Sequence, residues 1–105
     1  MRVLLDECLP RKLKNTLPGH QVRTVPEMGW SGFANGKLLA LIRDQFDFFV
    51  TVDRNLQFQQ KIAPISFGVL VVSALSNRLA DLLPVFEKVL SCLTNENVGK
   101  VSTVK

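Results

Sequence analysis

Phe67-Gly68-Val69-Leu70-Val71-Val72 carries no polar side chain at all. A strand with one wet face alternates apolar and polar residues, whereas an unbroken apolar run must be covered on both faces. That condition is met inside a parallel sheet with helices on either side. Three further runs fit the same sheet: Arg2-Val3-Leu4-Leu5, Gln21-Val22-Arg23-Thr24-Val25 and Phe48-Phe49-Val50-Thr51-Val52. Helical stretches separate them. Pro10 suits the first turn of a helix over Arg11–Leu17, which Pro18-Gly19 stops. Lys37–Asp44 carries an apolar stripe, and Asn55–Ile62 reads as a short helix. Leu79, Leu82, Leu83, Phe86, Val89, Leu90 and Leu93 repeat at helical spacing within Asn77–Leu93, where Pro84 predicts a kink or a restart. Val98–Val104 reads as a final edge strand, with Lys100 and Lys105 suited to an edge. Alternation of this kind predicts an α/β fold with a parallel sheet of order 2-1-3-4 and a C-terminal edge strand.

With 105 residues, the chain has room for one core, so residues 1–105 are expected to form a single domain. No apolar run is long enough to span a bilayer. The start, Met1-Arg2-Val3-Leu4-Leu5 followed by two acids, lacks the pattern of a signal peptide. A cytoplasmic protein without membrane association is the expectation. Two cysteines, Cys8 and Cys92, make neither a disulfide framework nor a zinc site, and they read as thiols in a reducing compartment. The net charge of +4 favours contact with polyanions without establishing it.

The chemistry concentrates at strand ends. Asp6 directly follows the first strand and Asp53 the third. In the predicted order these strands are neighbours where the winding direction reverses, the place where ligands of such sheets bind. Two carboxylates sharing that mouth repel unless a cation or a proton intervenes, and oxygen ligands alone select Mg²⁺ or Mn²⁺. Either acid taken singly also reads as the cap of a following helix. Glu7 is a candidate outer ligand or a solvated acid, and Asn55 offers an amide oxygen or a helix cap. Asn35 caps the second helix or reaches the site. Arg11, Lys12, Lys14 and Arg54 surround the acids in sequence and are candidates for holding a phosphodiester backbone, with an ordinary solvated face as the plainer reading.

Other residues read more plainly. Thr51 and Ser73 near strand ends read as backbone hydrogen-bonders. Trp30 and Phe33 are expected to pack their glycine-containing loop onto the sheet rather than stack on bases. His20 reads as a turn residue, and Cys8 lacks a visible activating base.

Leu4-Leu5-Asp6-Glu7-Cys8-Leu9-Pro10, Gly19-His20-Gln21-Val22-Arg23-Thr24-Val25 and Thr51-Val52-Asp53-Arg54-Asn55-Leu56 together resemble a family of short bacterial PIN-like proteins. Met28-Gly29-Trp30-Ser31-Gly32 and Asn35-Gly36-Lys37-Leu38-Leu39 are similar to it as well. The likeness covers roughly residues 2 to 75. It implies a reduced PIN-like three-layer sandwich, a Mg²⁺ or Mn²⁺ site and kinship with VapC-type toxin ribonucleases. RNA would be the substrate and a small antitoxin protein the partner. It also implies dimerisation, for which the apolar C-terminal helix is the candidate surface. Asp6 matches the family's first acid and Asp53 the acid of its Thr-x-Asp turn. Asn55 stands where many relatives carry another Asp, and Asn35 near where many carry an acid, so the site is short of negative charge.

The leading expectation is therefore a metal-dependent ribonuclease, with Asp6 and Asp53 catalytic. Glu7 and Asn55 would complete the metal set, and Arg11, Lys12, Lys14, Asn35 and Arg54 would bind substrate. A non-catalytic PIN-like interaction module is the alternative. A receiver-like phosphoacceptor domain is a third, disfavoured because the span from Asp53 to Ser73 is tight and no Lys-Pro follows a fifth strand.

Overall fold

The computed structural model describes residues 1–53 and 66–105. Five strands form one sheet in which every pairing is parallel: β1 (Arg2–Leu5), β2 (Gln21–Thr24), β3 (Phe48–Thr51), β4 (Gly68–Val72) and β5 (Val101–Val104). Their order is β2-β1-β3-β4-β5, the predicted order with the predicted edge strand added. The register sets Leu5 beside Val50 on one side and beside Thr24 on the other. β3 and β4 are buried at every position, as the apolar runs require.

Side chains alternate across the sheet, so the core has two halves. On one face Val3, Leu5, Phe48, Val50, Leu70 and Val72 meet helix α2 (Leu79–Cys92) through Leu82, Val85, Phe86 and Val89. Leu9, Leu13 and Leu17 complete that half. On the other face Leu4, Phe49, Val69 and Val71 meet Leu38 and Ile42 of helix α1 (Asn35–Gln45), with Trp30 and Phe46 beside them. The result is a three-layer α/β sandwich with a Cα radius of gyration of 12.4 Å, close to the ~13 Å of a compact chain near this length.

Three local features differ from expectation. The segment after Pro10 is a 3-10 helix, Arg11–Thr16, and not an α-helix. Pro10 and Pro18-Gly19 leave it six residues, and the Leu13 N–H closes onto the Pro10 carbonyl at 3.1 Å, three residues back. The Thr16 hydroxyl then donates to the Leu13 carbonyl. Secondly, α2 runs without restart through Pro84. Pro84 and Ala80 are both exposed, so water can take the Ala80 carbonyl that the missing N–H leaves unpaired. Ser76 settles the start of α2 by accepting from the Arg78 N–H and donating to Asp81, an acid in the first turn. Thirdly, Asn35 is the first residue of α1 rather than its cap, which is Ala34. The short helix expected over Asn55–Ile62 lies outside the described residues.

Gly68 opens β4 for a steric reason. A Cβ there would run into the Phe48 ring and come within 2.7 Å of the Asn97 carbonyl.

Candidate active site

Asp6 leaves the end of β1 one residue past the Leu5–Val50 pair, and its N–H is held by the Val50 carbonyl at 2.9 Å. Level with it on β3 is Thr51, fully buried, whose hydroxyl donates to Asp6 Oδ2 at 2.6 Å. The same hydroxyl accepts from the Asp53 N–H at 3.0 Å. One buried oxygen thus ties the two acid-bearing strand ends together across the β1–β3 boundary. Connections leave β1 and β3 in opposite directions there, so this is the crevice that the strand order predicts for a ligand. Asp6 Oδ1 accepts from the Glu7 N–H at 2.8 Å, and the Asp6 carbonyl accepts from Leu9. With Pro10 as the 3-10 helix's cap residue, Asp6 is no helix cap. Its carboxylate is held in one orientation, each oxygen keeping lone-pair capacity.

Glu7 turns away. It is exposed, and its Oε1 faces the Gly32 N–H at 3.5 Å. Among the described residues no group of three or more His, Cys, Asp or Glu side chains is placed to hold a metal. The strand register brings Asp6 and the Asp53 turn to the same end of β1 and β3. Asn55 and Arg54 lie outside the described residues.

Cys8 sits beside this mouth. Desolvation of its thiol raises its pKa, and the Asp6 charge raises it further, so it is kept from becoming a thiolate nucleophile.

The basic cluster divides. Arg11 and Lys12 are exposed and, with Lys14 and Asn15, line an open cavity of about 500 Å³ on the 3-10 helix. Lys14 is already paired, its Nζ 2.8 Å from Glu27 Oε1. Glu27 oxygen Oε1 also accepts the Thr24 N–H at 2.7 Å, while the Glu27 N–H reaches the Thr24 hydroxyl at 3.3 Å. This reciprocal pair has the spacing of a capping box, Thr-x-x-Glu, and that spacing was the signal available in the sequence. The hydrogen bond from Lys14 lowers the Glu27 pKa despite some desolvation.

Trp30 is buried and meets Phe46 edge-on, ring centroids 6.1 Å apart, so it packs the loop as expected. Phe33 lies under the Lys37 ammonium, 4.1 Å from it. Nδ1 of His20 lies 3.0 Å from the Met1 amino group; burial and that charge lower its pKa.

The chain matches no protein-family model, no curated protein and no solved structure. Among the described residues no helix is long and apolar enough to cross a membrane.

Proposed function

We propose that the chain is a Mg²⁺- or Mn²⁺-dependent ribonuclease that hydrolyses RNA phosphodiesters, acting as the toxin-like member of a pair with a small antitoxin. The observation that carries the reading is the Thr51 hydroxyl, which joins Asp6 to the Asp53 turn at the switch point of the sheet. A bound cation would polarise a phosphate oxygen and supply a more acidic water. Asp6 and Asp53 would hold it, with Thr51 and the Glu7 N–H fixing the Asp6 carboxylate beforehand. Arg11 and Lys12 would bind the phosphate backbone without reading bases. Glu7 faces the Gly32 N–H instead, and Lys14 reaches RNA only by giving up Glu27.

The test is cleavage of mixed RNA in Mn²⁺ by the wild-type chain, Asp6→Asn and Asp53→Asn. Loss of cleavage in both variants is the expected result. Equal cleavage in all three would place the activity elsewhere.

The shortage of described acidic ligands favours a second reading, a PIN-like module that binds a partner without cleaving RNA. Titration with Mg²⁺ and Mn²⁺ separates the two, because the nuclease reading requires binding at millimolar metal.

A further inference from the structure

Helix α1 covers Leu4, Phe49, Val69 and Val71 on its face of the sheet, while Gln21 and Arg23 of β2 stay exposed. Gln21 and Arg23 of the edge strand β2 point to that face, because Val22 between them belongs to the opposite half of the core. Arg2 stands beside Gln21 in register. With Gln45 and Phe46 from the end of α1, and Met28 from the loop above, these side chains line a cavity of about 180 Å³. Arg2 and Gln21 are the first residues of their strands, so the cavity lies at the far end of β1 from Asp6, about 13 Å along the strand. It is separate from the candidate metal centre.

The charges in the cavity are unbalanced in a specific way. Arg2 is neutralised by Asp47, which accepts its guanidinium at 3.2 Å and its N–H at 2.8 Å. Among the described residues no carboxylate is in ion-pair contact with Arg23; Glu27 is paired with Lys14 and feels the Arg23 charge only at longer range. The cavity therefore offers one guanidinium outside any ion pair, two carboxamides that both donate and accept, and an apolar wall. Its volume falls below the roughly 300 Å³ at which small-molecule sites begin. That size suits one side chain presented by a larger partner, and an arginine-lined pocket is a common anchor at protein interfaces. One guanidinium outside any ion pair matches a monoanionic carboxylate better than a phosphate dianion.

We infer that this cavity is a docking pocket for a carboxylate side chain of an acidic segment in a protein partner. Arg23 pairs with the carboxylate, Gln21 and Gln45 bond the flanking peptide groups, and Met28 and Phe46 cover the stem. The inference does not rest on the nuclease reading, since none of these residues belongs to that site.

The test is an NMR titration of the full chain with N-acetylglutamate N-methylamide as the probe. The neutral N-acetylglutamine N-methylamide and inorganic phosphate serve as comparisons. The acidic probe is expected to shift the Met28 methyl and the Gln21 and Gln45 carboxamide signals saturably. Arg23→Gln, an exposed substitution, should weaken the response about tenfold, while Arg43→Gln and Asp6→Asn leave it unchanged. Three results would overturn the proposal: no shift at these signals, equal shifts with the neutral probe, or tighter binding of phosphate than of the carboxylate. Retained affinity in Arg23→Gln would do the same.

Discussion

The Thr51 hydroxyl lies 2.6 Å from Asp6 Oδ2, on a neighbouring strand and 45 residues away in sequence. Thr51 has no exposed surface, so this contact belongs to the core as much as to the site. Thr51→Val keeps the shape and removes the hydroxyl, leaving the Asp53 N–H without its acceptor. A hydrogen bond to a charged group is worth about 1.5–3 kcal/mol, so a destabilisation of that order is expected in urea unfolding. Mn²⁺ affinity, read in the same variant by calorimetry, should fall too.

Substitution at Gly68 tests packing away from the site. Gly68→Ala drives a methyl group into the Phe48 ring and the Asn97 carbonyl. Overpacking of this kind costs about 1–3 kcal/mol, and backbone on one side leaves little room for relief. The variant should unfold at lower denaturant, while Gly36→Ala, which meets nothing within 4 Å inside α1, should not lose stability.

Acid should weaken the fold through Glu27 and Asp47. Glu27 is lowered by its hydrogen bond from Lys14. Desolvation alone would raise Asp47, but the hydrogen bonds from Arg2 prevail and lower it. Each folded-state value lies below the ordinary value of its group. The stability they contribute is present above the ordinary values and is lost as pH falls through the lower folded ones. Glu27→Gln with Asp47→Asn should flatten the fall in midpoint temperature across that acid range.

Arg11 and Lys12 predict a salt effect. Each phosphate contact on single-stranded RNA contributes about 0.7 to the slope of log affinity against log salt. Arg11→Gln and Lys12→Gln should each reduce the slope by about that amount in filter binding. Lys14→Gln should change it less, because Lys14 is committed to Glu27. Glu7→Gln should leave Mn²⁺ affinity near wild type, since Glu7 faces the Gly32 loop.

The strands and their order were legible because runs such as Val69–Val72 tolerate no wet face, and few parallel arrangements connect them. That order alone brought Asp6 and Asp53 to one end of neighbouring strands. Thr51 looked like an ordinary backbone hydrogen-bonder; its bond to Asp6 depends on a register that periodicity does not fix. Lys14 looked free for phosphate because Glu27, 13 residues on, meets it only after β2 folds beside the 3-10 helix. The 3-10 geometry itself was hidden, since Leu13 and Leu17 suit either kind of turn.

The interior position of β1 has a consequence for how the molecule is made. β1 is the first strand of the sheet in chain order, yet it pairs with both β2 and β3, and its second partner lies more than forty residues downstream. Without hairpins to nucleate the sheet, its ladders have to wait for distant chain, which slows assembly. An emerging chain would hold Val3, Leu4 and Leu5 bare until Phe48–Thr51 arrives, and truncation before that point should yield material that aggregates rather than half a domain.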